Sequence, residues 1–422
     1  MVNMDPVHHS LFIIHYSPIM KKIFLLSSLF LSTLCVRAQH DSLALTPPMG
    51  WNSWNLFEDE VSETLVKQIA DGIVASGMKE AGYQYIVMDD YWVGGRNAKN
   101  ELYPDAVRFP HGMKALADYV HAKGLKLGIY SDAAPLTCGG VTGSYNFEVQ
   151  DANTFAAWGI DYLKYDYCNA PDDMVTAMAR YKKMGDALKN THRPIVYSIC
   201  EWGHLQPWLW AKAAGGHLWR SGWDIRDAWQ VETYSNGSNA IINTLDKQEG
   251  LEKYAGPGGW NDPDLLVVGL FGKGKSSSDN GRFKGCSLTE YRSQFALWCM
   301  LAAPLMVNLD VRALPDSIKT ILLNKELIAV DQDAEGRQCS TVYKQDGLQV
   351  FQKPLSGNRY AICILNRGDA SKTYSFRPEQ WGLRGKWALH DVLTGQKDHT
   401  LRQEQGSLAS HDCRVFILTA LP

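Results

Sequence analysis

The sequence predicts an α/β architecture, a closed (β/α)8 TIM barrel followed by a C-terminal antiparallel β-sandwich, and three observations carry that expectation. Short β-rich segments alternate with stretches of helical apolar spacing from Leu45 to about Val330. Eight such β segments can be counted, the number that closes a barrel. After Asp333 the helical stretches give way to short alternating strands separated by Gly, Asn and Asp turns.

The barrel strands are expected at residues 49–53, 85–88, 126–130, 162–165, 195–198, 217–220, 258–260 and 305–307. Among the helices between them, 63–80 repeats Val66, Ile69 and Ile73 on one face, and 174–189 repeats Met178, Tyr181 and Leu188. Four sandwich strands are expected at 349–352, 360–365, 386–389 and 414–418. With 422 residues the chain exceeds one small domain, and the division reads as a barrel at 39–335 and a sandwich at 336–422. A Gly, Lys and Ser-rich loop at 272–285, after the seventh strand, is expected to be mobile.

The amino terminus carries an export pattern that begins at Met20 rather than Met1. Met20, Lys21 and Lys22 are followed by the apolar run 24–34, and Val36-Arg37-Ala38 forms a small-residue cleavage site before Gln39. Residues 1–19 therefore read as lying upstream of the true start, 1–38 as absent from the mature chain, and the protein as secreted or periplasmic. The run is too short for a permanent membrane span. Cys35 raises a lipoprotein alternative, against which Leu34 is a poor match to the small residue such sites prefer. Of nine cysteines, eight remain without Cys35, in a compartment where disulfides persist.

Lys and Arg total 42 against 45 for Asp and Glu, a balance that gives no electrostatic reason to bind nucleic acid or an acidic membrane surface. The 14 tryptophans and 19 tyrosines are either core or stacking surfaces, and composition does not choose.

In a barrel the site forms at the carboxyl ends of the strands, and here those positions are acidic. Asp89-Asp90, Asp166, Glu201, Asp224, Asp262 and Asp264 each follow an apolar strand core. Any one of them alone reads as a helix cap or a solvated loop residue; several on one rim do not. Carboxylates interleaved with tryptophans suit a neutral sugar, whose hydroxyls donate to the acids while indole faces cover its C–H side. They also suit a metal, but there is no His-x-x-x-His cluster, and no phosphate loop of GxxxxGK[ST] or GxGxxG spacing. Neither metal nor cofactor is expected.

Six ordered motifs carry a family resemblance: Thr46-Pro-Pro-Met-Gly-Trp-Asn-Ser-Trp-Asn55, Met88-Asp-Asp-Tyr91, Lys126-Leu-Gly-Ile-Tyr-Ser131, Tyr162-Leu-Lys-Tyr-Asp-Tyr-Cys168, Cys200-Glu-Trp202 and Gly256-Pro-Gly-Gly-Trp-Asn-Asp-Pro-Asp264. Together they resemble glycoside hydrolase family 27, the α-galactosidases and α-N-acetylgalactosaminidases, from about Leu45 to Asp333 and more weakly beyond. The resemblance implies hydrolysis of α-galactosides with retention through a covalent glycosyl-enzyme. It makes Asp166 the nucleophile and Asp224, in Arg220-Ser-Gly-Trp-Asp224, the acid/base. It also places Trp51, Asp89, Asp90, Tyr130, Lys164, Cys200, Glu201, Arg220 and Asp264 around the sugar, and pairs Cys138 with Cys168.

The chemistry is consistent with these types. Retention needs two carboxyl groups about 5 Å apart, one ionised and one protonated, with environments that separate them. Lys164 lies two residues before Asp166, so in a strand both face one way and its ammonium is expected to keep Asp166 ionised; a structural salt bridge is the plainer reading of the pair alone. A buried free thiol is the plainer reading of Cys200, and Cys339 with Cys413 is one pairing open in the sandwich. Leu265 stands where many relatives have Met, a near-isosteric change. The rival activities are those of an α-N-acetylgalactosaminidase or a β-L-arabinopyranosidase, and the rival class is a non-catalytic carbohydrate-binding protein. The oligomeric state is left open.

Overall fold

The computed structural model describes residues 42–231, 239–275 and 283–422. The export pattern, Cys35 and the middle of the 272–285 loop lie outside the described residues. Eight parallel strands form one curled sheet: β1 (Met49–Asn52), β2 (Tyr85–Val87), β3 (Lys126–Asp132), β4 (Tyr162–Asp166), β5 (Val196–Ile199), β6 (Leu218–Arg220), β7 (Trp260–Asp262) and β8 (Leu305–Val307), in the order β8-β1-β2-β3-β4-β5-β6-β7. Their ends fall within two residues of the expected ones. The strands are buried almost throughout, as a sheet covered on both sides requires. The ring is completed beyond β7, where the Leu266 amide donates to the Met306 carbonyl at 2.8 Å and Leu266 bridges Val307.

The helix expected at 63–80 is two helices, Glu63–Ala75 and Met78–Ala81. Gly77 at φ 84° separates them, a left-handed conformation that glycine adopts without penalty. Ser62 caps the first by accepting the Leu65 amide, and Val66, Ile69 and Ile73 are buried as their spacing requires. The second expected helix runs Met174–Asn190, capped by Asp173, which accepts from the Thr176 amide at 2.8 Å. Its buried stripe passes through Ala177, Tyr181, Met184 and Leu188, which leaves Met178 off the edge and 40% exposed, contrary to expectation.

Beyond the barrel, six antiparallel strands form one sheet. They are β9 (Ser340–Gln345), β10 (Leu348–Leu355), β11 (Arg359–Asn366), β13 (Trp387–Asp391), β14 (Lys397–Leu401) and β16 (Cys413–Ala420), ordered β9-β10-β11-β16-β13-β14. The pair β12 (Lys372–Phe376) and β15 (Glu404–Leu408) faces it across a second core containing Ile362, Phe376, Leu389 and Phe416. The four expected segments fall on β10, β11, β13 and β16.

Helix Leu288–Leu301, entered through a Ser287/Glu290 capping box, is buried on nearly all sides because helices Asp316–Leu322 and Lys325–Asp331 pack on it from one side and sandwich strands from another. Across that seam the Lys353 ammonium donates to the Cys299 carbonyl at 2.8 Å and Ser293 Oγ to the His411 carbonyl at 2.7 Å. Cys339 and Cys413 do not pair: both are buried free thiols, and the thiol beside Cys413 is Cys363 on the adjacent strand β11. Cys138 and Cys168 do form a disulfide, with Cα atoms 5.1 Å apart, tying the loop after β3 to the segment after β4. Among the described residues no helix is long and apolar enough to cross a membrane.

Candidate active site

The carboxyl ends of β2 to β7 deliver the acidic rim. Past β2, Asp89 accepts from the Lys164 ammonium at 2.7 Å, from Asn52 Nδ2 at 2.8 Å and from the Asp90 amide at 3.0 Å. Asp90 accepts from the amides of Tyr91 and Gly139, each at 2.7 Å, while burial raises its carboxyl above the usual range. Both carboxylates are thus held rigidly and each keeps lone pairs free. Trp51, inside β1 and fully buried, donates its indole N–H to the Leu309 carbonyl at 2.9 Å. Tyr130 in β3 donates to Cys138 Sγ at 3.2 Å, and its ring centroid lies 5.2 Å from the Lys164 ammonium.

Asp166 ends β4. Lys164 shares its face, but its ammonium is 4.0 Å from Asp166 Oδ2 and only 2.7 Å from Asp89, so its principal partner is Asp89. Burial drives Asp166 up to about 6, with the charges of Asp224 and Asp89 adding, against Lys164 and Arg220. Lys164 therefore does not hold Asp166 at an ordinary carboxylate value, as its spacing had led us to expect. Burial works against its own charge too, yet Asp89 and Asp166 keep the ammonium well above its usual range.

Across the mouth, Arg220 at the end of β6 donates to Asp224 Oδ1 at 3.0 Å, lies 3.0 Å from Asp264 Oδ2, and donates to Cys200 Sγ at 3.6 Å. Burial raises Asp224, but Arg220, Arg226 and Lys164 outweigh it and hold the carboxyl low; its side chain remains 35% exposed at the pocket mouth. Asp264, past β7 at φ 83°, accepts from the Ile225 amide at 2.8 Å, and burial raises it despite Arg220. Past β5, Cys200 is a buried free thiol that burial keeps protonated. Glu201 accepts from the Leu205 amide at 2.6 Å through Oε2, while buried Oε1 has no partner; burial pushes this carboxyl up to about 8.

Contacts thus link Asp89, Lys164 and Asp166 in one group and Arg220, Asp224, Asp264 and Cys200 in another. Glu201 takes its partner from its own loop and Trp51 from Leu309. Sequence reasoning missed Asp132, which ends β3 directly opposite Asp166 and accepts from the Ala134 and Cys168 amides at 2.9 and 3.0 Å. Burial and the Asp166 charge push it up to about 9. The period-two alternation of a strand places Asp132 on the face of Tyr130, a signal lost because the strand was ended at Tyr130. Asp132 and the two sulfurs Cys138 and Cys168 lie close enough to cage an ion, but the sulfurs are joined to each other and offer no thiolate.

A family model described as Alpha galactosidase A matches residues 46–333, and one described as Alpha galactosidase C-terminal beta sandwich domain matches 345–418. The Alpha-galactosidase A of Cellvibrio japonicus is 45% identical over 380 residues, 89% of this chain and 87% of that protein. The Alpha-galactosidase of Oryza sativa is 42% identical over 387 residues, 91% of this chain and 87% of that one. The crystal structure of alpha-galactosidase I from Mortierella vinacea superposes with a TM-score of 0.83 at 32% identity, covering 90% of this chain and 98% of that one. With barrel and sandwich both matched, and relatives alike over nearly their whole length, the chain belongs to the α-galactosidase family.

Proposed function

We propose that this α-galactosidase works by double displacement with retention, Asp166 attacking the anomeric carbon and Asp224 protonating the departing oxygen. The observation that carries the reading is the opposed pair itself: a buried carboxylate at the end of β4 whose ionisation feels the charge of a half-exposed one just past β6. In the free site burial raises Asp166 while Arg220 holds Asp224 low, the reverse of the order that attack by Asp166 and proton donation by Asp224 require. Double displacement therefore needs substrate binding to leave Asp166 ionised and Asp224 protonated. Asp89 and Asp90, already fixed by backbone and lysine donors, accept the 4- and 6-hydroxyls, which distinguishes galactose from glucose by its axial 4-hydroxyl. The unpartnered Glu201 Oε1 accepts the 2-hydroxyl, where a 2-acetamido group would meet a buried carboxyl instead. This arrangement favours the α-galactoside over the N-acetylgalactosaminide, and two acceptors at C4 and C6 favour it over the arabinopyranoside, which lacks the hydroxymethyl group.

The export pattern and the Cys138–Cys168 disulfide support a location outside the cytoplasm, with a barrel of residues 39–335 and a sandwich of 336–422. Proton NMR of the earliest product tests the mechanism. α-Galactose is expected first; β-galactose would mean inversion and remove Asp166 from the nucleophile's role.

A further inference from the structure

Two tryptophans stand next in the chain to Glu201 and Asp224 and have no role in the galactose contacts proposed for this site. Trp202 follows Glu201 past β5, Trp223 precedes Asp224 past β6, and their rings stack with centroids 5.6 Å apart and planes 14° from parallel. Trp223 is 38% exposed, a large share for so apolar a side chain beside a catalytic rim. The stack is held in place from behind. Trp202 sits at φ 58°, a left-handed conformation that is strained for a non-glycine residue and persists where the surroundings fix it. Gly203 next to it packs so tightly on the Ser221 backbone that a Cβ there would lie 2.6 Å from it. From the other side, Asn239 donates its amide N–H to the Asp224 carbonyl at 2.8 Å.

We propose that Trp202 and Trp223 form the platform for the leaving group, stacking the hexopyranose that follows galactose in the substrate. This rests on the reading of Asp224 as acid/base and Asp89-Asp90 as the 4,6-hydroxyl acceptors. In a pyranose, C4 lies across the ring from C1. Once C4 and C6 are held on the β2 side, the C1 oxygen points to the side of Asp224, beside which in the chain stands the partly exposed Trp223. Its ring is backed by Trp202 and edged by His204, whose ring lies 6.1 Å from that of Trp223 and whose Nε2 pairs with Asp172 at 2.9 Å. An indole face suits a sugar's C–H side and carries no charge to discriminate among neutral hexoses. The preferred substrates are therefore galactosides of sugars rather than of small alcohols.

The test compares kcat/KM for an α-1,6-linked galactosyl-glucose disaccharide with that for α-galactosyl fluoride, whose leaving group is one atom and needs neither platform nor proton donor. Replacing Trp223 by Ala is expected to lower the disaccharide-to-fluoride ratio about tenfold, the equivalent of one aromatic stacking contact. Trp223→Phe should restore most of the ratio, which a merely structural role would not predict. A ratio that moves less than twofold, or a loss shared equally by both substrates, overturns the platform while leaving the α-galactosidase reading intact. Wild-type protein inert towards the fluoride would instead count against the nucleophile assignment beneath it.

Discussion

Lys164, largely buried, and Lys353, wholly buried, each make one short hydrogen bond, and they are driven in opposite directions. Lys353, wholly buried between the sandwich and helix Leu288–Leu301, has the Cys299 carbonyl as its acceptor. Burial lowers its ammonium below the usual lysine range, more than the distant charge of Asp331 raises it, and Asp331 itself is pushed up to about 8. Lys164 meets a carboxylate at 2.7 Å and a second at 4.0 Å, and is held charged. Burial alone does not make a charge site. What separates the rim from the domain seam is the density of carboxylates gathered by neighbouring strand ends, which the seam lacks.

The largest expected effect removes one of the rim's reacting acids. Asp166→Asn should lower kcat by at least ~10⁴ on every galactoside, as loss of a covalent nucleophile does. Asp224→Asn should cost roughly 10² to 10⁴ on alkyl and sugar galactosides and much less on aryl galactosides with acidic leaving groups. Equal losses across a series of leaving groups would take Asp224 out of the acid's role.

The lysines themselves come next. Lys164→Met strips Asp89 of its cation and should cost on the order of 3 kcal/mol of stability or transition-state binding, the range for breaking a buried pair from one side. It should also move the alkaline limb of the pH profile upward, since Asp166 loses a charge that favours its ionised form. Lys353→Met should leave kcat and KM within experimental scatter and the unfolding free energy within about 1 kcal/mol, because an apolar side chain of similar length replaces a poorly compensated cation. Matching activity losses in the two variants would erase the distinction between rim and seam.

The smallest effect is a shape. Because Asp166 is raised to about 6 and Asp224 lowered, the form carrying one proton between them exists below about 6 and above the acid value of the pair. kcat/KM should therefore be bell-shaped and fall as pH rises through about 6. A profile flat from pH 5 to 8 would show that no shared proton is needed.

Much of this was legible before any coordinates. The eight barrel strands are short and apolar and most of them end in acids, so periodicity and strand-end chemistry agree, and Asp89, Asp166, Asp224 and Asp264 were singled out together. The sandwich was half legible. β12, β14 and β15 carry Lys372-Thr-Tyr-Ser-Phe376, Lys397-Asp-His-Thr-Leu401 and Glu404-Gln-Gly-Ser-Leu408, whose polar residues leave little alternation to read. The choice of Asp89 over Asp166 as the partner of Lys164 was not legible, because it depends on how β2 and β4 lie across β3, a tertiary distance that spacing along one strand does not contain. The thiols follow the same rule: Cys413 meets Cys363 through strand register, not through sequence proximity.

The ring of strands has its join at Leu266 and Val307, at the catalytic mouth rather than the waist. The run from Asp262 to Leu265 is thereby slung between β7 and the join, and Asp264, which takes one arm of Arg220, rides on that short span. Asp264 also accepts from the Ile225 amide, so the join is linked to Asp224 both through the Arg220 guanidinium and through the backbone that follows Asp224. The fastening of the barrel and the charge that holds Asp224 low therefore meet on one short span of chain.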